Sequence, residues 1–598
     1  MFSKFWGKTI SSANSRADVL CEQRILLLYD STDIYAVSAY ENAVKALDYA
    51  RLEFVSLDFS REPAWPDLTG FSSLLLCSEF LHKLDSAEVT RIRGFVARGG
   101  GLAVIYRGWN VGLADLFGVS SVKDWPGFAS EEVGGLQLPT DIFSGFQGTH
   151  LAPDELSGHT PYDFEPVAAA KVLATSSCGK PLAWLVFFEK GRVIYWNSAV
   201  LAEKIARGLI VQSLMSIQQV SVLPIANVAT IQIDDFPPEF EPDCGELIVS
   251  DYVELDPVTF YERIWLPDMM ALADSFGLAY TCLPIFDYAG LGEPPFDFDD
   301  WYATKIQIDG KSVSYKTNAA WTVARTGELG LHGYNHVALT LKQWPDKSAM
   351  VRALSAVIGH WKKNDLGPLP RTYVPPNNEY DETGANAISE ALPGMEVICG
   401  VYLSGDFESG GNREFGPEPW NSRLFSMPRA TSGYERTAIQ RFAMVSQIAN
   451  MGVWTHFIHA DDVYDTPGNN ATMSYHRNAA SKPWRGDAPG QANGIYYAFQ
   501  AWLQFTRSEF PWLNFVETRA ALPIVKSHLD NEVGVRFARN SLSLSMKNLT
   551  CFQIRLNNGL HLNPAGLSNA ELVHCQNCNG DELYTLRATG HDVKLEIL

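Results

Sequence analysis

The stretch ANVATIQIDDFPP, residues 226–238, decides how the rest of the chain is read. Apolar residues alternate with Thr230 and Gln232, and the run stops on two adjacent carboxylates, Asp234 and Asp235. Alternation of period two predicts a strand. α/β folds build their sites from loops at the C-terminal ends of parallel strands. Neighbouring strand residues point to opposite faces. At a strand end this relaxes, so the two carboxylates can take different roles. Two such groups do not both stay ionised cheaply without a cation beside them. The bland alternative is a turn or helix-cap pair.

Outward from this point, two further clusters carry chemistry. In GELGLHGYNH, residues 327–336, His332 and His336 are four apart. On a helical turn that spacing puts both imidazoles on one face, able to share one metal. A zinc metalloprotease needs Glu directly after the first His as base; Gly333 stands there, so that reading fails. In VWTHFIHADD, residues 453–462, an apolar run ends in His459 and then acid. This suits an imidazole at a strand end, oriented by a nearby carboxylate and ready to act as general acid. Taken alone, each cluster also has a structural reading: a chance His pair, or histidines packed in a strand.

In this order the three clusters resemble the polysaccharide deacetylase family, the NodB-homology domains of the family 4 carbohydrate esterases. The family's T-F-D-D-G strand end matches Thr230 to Asp235, its H-[ST]-x-x-H matches His332 to His336, and its late leucine-x-His matches Phe457-Ile458-His459. The resemblance implies Asp234 as general base, Asp235, His332 and His336 as ligands of a divalent metal, and His459 as general acid. The family's Arg-Pro motif corresponds to RTYVPPN, residues 371–377, with altered spacing, which makes Arg371 the group that orients the base. Phe236-Pro237-Pro238 replace the family's Gly after the Asp pair, so the branch is divergent. The fold implied for 226–525 is a distorted (β/α) barrel of seven strands, of NodB type.

The activity implied by the resemblance is that of a metal-dependent hydrolase acting on linear amide C–N bonds, removing N-acetyl groups from an N-acetylhexosamine polysaccharide. Two His and one carboxylate suit zinc, and also cobalt, nickel or iron. A backbone N–H near Tyr373 is a candidate for the oxyanion. Tyr373, Trp454, Trp301 and Tyr302 are candidates to stack on sugar rings. Two rival readings remain: a non-catalytic carbohydrate-binding or polysaccharide-assembly protein on a degenerate scaffold, and a glycoside hydrolase. The second needs two carboxylates roughly 5–10 Å apart, and nothing in the sequence pairs any two.

The remaining chain sets the frame. With 598 residues, several domains are expected. The formal charge of −21 repels nucleic acid and anionic membrane and tolerates neutral or cationic polymers. Nine scattered Cys do not form a disulfide framework, and Cys575 and Cys578 make one unpaired C-x-x-C, a weak metal or disulfide signal. The first 22 residues contain no signal-peptide core, and no apolar run is long enough to span a bilayer. The expected location is therefore cytoplasmic, or periplasmic or extracellular if the N-terminus is incomplete.

Residues 1–24 read as a polar tail. Strand and helix alternate over 25–219, predicting an α/β, flavodoxin-like unit with a mostly parallel sheet. The helix over 86–101, its Gly triplet and the strand after it resemble class I glutamine-amidotransferase-like domains. That family's nucleophilic Cys is missing from Val104 to Gly108, and Cys77 reads as a core residue, so the unit is expected to be non-catalytic. The segments 287–327 and 462–494 read as long irregular walls of a site. Short alternating runs over 526–598 predict a small β-sandwich or jelly roll. This order of units also resembles the deacetylase part of the Pel exopolysaccharide modification protein, which implies a bacterial exopolysaccharide setting and partners.

Overall fold

Ile25–Tyr29, Ser73–Cys77, Gly101–Val104 and Gly191–Trp196 are apolar at nearly every position, as strands covered on both faces must be. The computed structural model describes residues 21–598 except 63, 121–122, 130–132, 157–158, 240–254, 289, 291, 298–300, 302–303, 309, 469–474, 487–492 and 539. In it these strands join Phe54–Asp58 as the parallel half of a nine-stranded sheet. Alternate residues feed two cores. Leu26, Leu28, Leu74 and Leu76 pack with Ile92, Phe95 and Val96 of helix Ser86–Ala97. Ile25, Leu27, Leu75 and Cys77 face helices Val37–Tyr49 and Arg207–Ile217. Helix Ser86–Ala97 starts on a reciprocal cap between Asp85 and Glu88. The expected mostly parallel sheet is only half so: Pro181–Phe188, Lys171–Thr175, Leu136–Leu138 and Thr149–Leu151 add antiparallel.

Helix Arg207–Ile217 is buried at every residue. One side meets the nine-stranded sheet and the other meets helix Ala438–Met451, whose Ser446 hydroxyl accepts from the Gly208 N–H at 2.9 Å. A Cβ on Gly208 would lie 2.5 Å from the Ser446 carbonyl oxygen, so only glycine allows this approach.

Val228–Asp234 is buried throughout and pairs in parallel with Val453–His459 and Tyr280–Cys282. Glu328–Leu329 and Thr431–Ser432 extend this sheet. A second sheet holds Thr372–Tyr373, Val397–Ile398, Asn421–Ser426 and Gly416–Glu418. One bridge, Leu331 to Tyr373, links the two, and Asn421–Ser426 runs on towards Thr431–Ser432. Among the described residues no continuous ladder closes a barrel, because several of these strands are only two or three residues long. The strand expected over 278–286 ends at Cys282; Pro284 soon after has no N–H to continue it. The stretch 287–327 is less irregular than expected: it contains the hairpin Lys305–Ile308 with Lys311–Ser314, and a helix, Tyr315–Ala324, capped by Ser314.

Seven strands from Val533 to Ile597 form two antiparallel sheets around a shared core that includes Leu542, Phe552, Ile554, Leu586 and Val593. Each sheet takes a strand from far upstream: Cys21–Glu22 pairs with Arg536 and Phe537, and Val220–Ile225 with Cys551–Leu556. The tail expected over 1–24 lies outside the described residues up to 20, and its end is this edge strand. Cys575 and Cys578 are free thiols three apart on one strand, one exposed and one buried, so they face opposite ways. Asp581 accepts from both Arg192 and Arg555, tying the nine-stranded sheet to the C-terminal strands. No described helix is long and apolar enough to cross a membrane.

Candidate active site

Parallel register places Asp234 directly beside His459, each the last residue of its strand. Asp234 is buried, and one guanidinium nitrogen of Arg429 donates to both its oxygens at 2.7 and 2.6 Å. Burial works to raise the Asp234 pKa; Arg429, then His332 and His459, outweigh it and hold the carboxyl below its ordinary range. Arg429 is itself buried, lies 3.7 Å over the Phe457 ring centre, and donates to Asn378.

Asp235 leaves the strand with φ of 52°, a left-handed conformation uncommon outside glycine. This turns its carboxylate away from Asp234 and toward the histidines. Its Oδ1 is 3.5 Å from His332 Nε2 and 3.3 Å from His336 Nε2, and it is buried without a hydrogen-bond partner. His332 and His336 meet without the helical turn on which their spacing would put both imidazoles on one face. They sit in a loop after Glu328–Leu329 that reverses through left-handed Gly333 and His336, at φ of 91° and 51°. One ligand atom from each of Asp235, His332 and His336 lies within 4.8 Å of the others. Tetrahedral ligands on bonds of about 2.1 Å stand about 3.4 Å apart, which the two Asp–His distances match. His332 Nδ1 lies 2.8 Å from the Val374 carbonyl, to which it donates, so Nε2 keeps its lone pair for an ion. Burial lowers the His332 pKa to about 4, against the pull of Asp234 and Asp235. The donor set and the unpartnered carboxylate oxygen fit a divalent metal.

His459 Nε2 is 3.7 Å from Asp234 Oδ2, and its Nδ1 is 3.3 Å from Asp462 Oδ1. Burial and the Arg477 charge push its pKa down, Asp462 and Asp234 push it up, and the balance lies above the ordinary histidine value. Arg477 in turn meets Asp461, Asp462 and Asp465 at 2.9, 2.9 and 2.8 Å.

A family model described as "Uncharacterised protein conserved in bacteria (DUF2194)" matches residues 130–556, well over half of the chain. The chain belongs to the DUF2194 family. No curated protein matches it. Among solved structures, the DUF2194 chain is similar to that of Agd3, described as a novel carbohydrate deacetylase, at a TM-score of 0.55 and 11% identity, covering 96% of this chain and 99% of that one. At that identity the likeness is one of fold. A candidate polysaccharide deacetylase from Mycobacterium smegmatis matches at a TM-score of 0.25 and 15% identity, covering 40% of this chain and 78% of that one. A beta-galactosidase from Bacillus circulans sp. alkalophilus matches at 0.25 and 15%, covering 34% and 33%. Both scores lie below what a shared fold requires.

The DUF2194 chain thus brings together five of the residues singled out in its sequence: Asp234, Asp235, His332, His336 and His459. Arg371 is not among them. It precedes strand Thr372–Tyr373 and so lies at the opposite end from the carboxylates, half-exposed and paired with Glu396 at 3.2 Å. The guanidinium at Asp234 belongs instead to Arg429, beyond the C-terminal end of Asn421–Ser426. The aromatic candidates are core. Trp301 and Trp454 have no exposed surface, and their indole N–H groups donate to the Ile285 carbonyl and the Thr431 hydroxyl. Tyr373 is equally buried beneath Gly333. Tyr302 lies outside the described residues. Sequence reasoning missed Arg429, Asn378 and Arg477. Arg429 had one signal, a lone charge in the otherwise uncharged run LFSMPRATS at 424–432.

Proposed function

We propose that this DUF2194 chain is a metal-dependent deacetylase of N-acetylhexosamine polysaccharide. The observation that carries the reading is the unpartnered buried Oδ1 of Asp235 facing two imidazoles, with an ionised carboxylate, Asp234, next in the chain. The fold shared with a protein described as a carbohydrate deacetylase supports it. So does the order of motifs along 226–525, which we assign as the deacetylase-like unit of NodB type.

Asp235, His332 and His336 would hold the ion. When bound, it would polarise the acetyl carbonyl and acidify a water; zinc suits the ligands, as do cobalt, nickel and iron. Asp234, kept ionised by Arg429, accepts the proton as water attacks the carbonyl carbon. His459, whose raised pKa keeps it protonated more of the time, gives a proton to the leaving nitrogen as the amide C–N bond breaks. Acetate and a free amine result. Burial of the pocket strengthens these charge interactions relative to water. The substrate expected is a neutral or partly cationic glycan, in keeping with the acidic chain.

The test is acetate release from N-acetylglucosamine and N-acetylgalactosamine oligomers by purified protein, before and after chelation and after adding zinc or cobalt. The expected result is release that chelation stops and metal restores. Bound metal with no release from any oligomer would favour a non-catalytic glycan-binding protein instead.

A further inference from the structure

Trp301, Trp454 and Tyr373, the described rings that the sequence offers for sugar contact, are all buried, so none of them gives the site the exposed aromatic face that a pyranose would stack on. Tyr288, whose ring centre lies 6.0 Å from that of His336, is half-buried, which leaves a better-exposed candidate on the stretch after Asp465. Tyr475 is 75% exposed, more than any other described aromatic residue. Single exposed apolar residues are common and usually mean nothing. Two features set Tyr475 apart.

The first is place. Tyr475 is two residues from Arg477, a reach of at most about 7 Å along the chain. Arg477 joins Asp461 and Asp462 at the end of strand Val453–His459, and Asp462 in turn meets His459 Nδ1. The segment that carries the ring is therefore tied to the strand end that holds the proposed acid. The second is the backbone beneath it. His476 Nδ1 lies 3.2 Å from Asp465 Oδ1, and the Arg477 N–H and Nε both donate to Asp465 Oδ2. The Asn478 N–H donates to the Asp465 carbonyl, and its side-chain amide to the carbonyls of Val463 and Lys482. These bonds fix the chain from His476 to Asn478, directly after the ring, so this stretch has little ordering left to lose on binding. That is the condition under which an aromatic face contributes affinity at small entropic cost.

We infer that Tyr475 is the sugar-stacking residue of this site and positions a hexopyranose unit of the chain next to the one being deacetylated. The inference rests on the deacetylase reading above and deepens it. Tyr475 moves no proton and holds no ion; it acts by binding, so its contribution grows when the substrate is long enough to reach it.

The test uses the full metal-loaded chain and N-acetylglucosamine or N-acetylgalactosamine oligomers of increasing length, comparing wild type with Tyr475→Ala, Tyr475→Phe and Tyr475→Trp. For wild type, KM falls as the oligomer lengthens. Tyr475→Ala raises KM for long oligomers roughly three- to tenfold, the size of one aromatic contact, with a much smaller effect on kcat. Tyr475→Phe and Tyr475→Trp keep the wild-type length dependence, because they keep a flat face. If Tyr475→Ala and wild type share one KM at every length while both release acetate, the stacking role is wrong and the deacetylase reading stands. If wild type releases no acetate from any oligomer, both fall together.

Discussion

Asp234 and Asp235 are sequence neighbours with different surroundings, and the left-handed backbone at Asp235 is what parts them. The turn at Asp235 costs about 1 kcal/mol in a non-glycine residue, and the placement of its carboxylate between two imidazoles offsets it. Asp235→Asn keeps a side chain that tolerates this conformation but removes the charge; we expect a folded protein with sharply reduced zinc content by elemental analysis. Equal metal in mutant and wild type would remove Asp235 from the ligand set. Asp234→Asn should retain metal and lose acetate release by roughly 10²- to 10⁴-fold, the range for a general base. Arg429→Ala leaves Asp234 as a buried charge without its main partner, a change worth about 3–5 kcal/mol. The measurable outcome is a large fall in unfolding temperature together with lost turnover. Arg429→Lys recovers part of the stability, since lysine keeps the charge and lacks the planar fork. An Arg429→Ala protein as stable as wild type would contradict the role assigned to this pair.

At the scale of elements, parallel register does most of the assembly. Pairing Val228–Asp234 with Val453–His459 sets the proposed base beside the proposed acid although 225 residues separate them. That part was legible, because a period-two run ending in acid or histidine predicts both the strand and where its last side chain sits. The His332–His336 loop was legible in outcome and not in cause. The spacing suggested a helix, whereas Gly333 and His336 make a reversal that spacing alone cannot encode. Arg371 misled because a motif match carries no information about which end of a strand a residue occupies. Arg429 was hidden because its partner is 195 residues away in the chain. The aromatic residues misled for a simpler reason: size favours burial, and Trp301 and Trp454 fill the core. Helix packing offers its own check. Gly208→Ala would press a methyl group into Ser446, and overpacking of this kind costs about 1–3 kcal/mol. A lower unfolding temperature is expected, and an unchanged one would mean the two helices can move apart freely.

Across the whole molecule, polar contacts join parts that the sequence divides. Glu414, just before strand Gly416–Glu418 of the second sheet, accepts from Arg207 and from the Tyr49 hydroxyl of the N-terminal region. Burial tends to raise the Glu414 pKa, but the hydrogen bonds and charge of Arg207, with Lys204 and Tyr49, hold it down at about 2. A carboxylate lowered on folding stabilises the native state above its unfolded pKa, and that share is lost as pH falls through the folded value. The contribution of Glu414 should therefore be full at neutral pH and fade between about 4.5 and 2. Urea melts of wild type and Glu414→Gln should differ most near pH 7 and converge at the acid end; a gap independent of pH would rule this out. The wholly enclosed helix Arg207–Ile217 has a practical corollary. A gene fragment starting near residue 226 would strip one wall from helix Ala438–Met451 and leave strand Cys551–Leu556 without its upstream neighbour. Such truncations should emerge as inclusion bodies, so attempts to express the site-bearing portion by itself ought to keep everything from the first sheet onward.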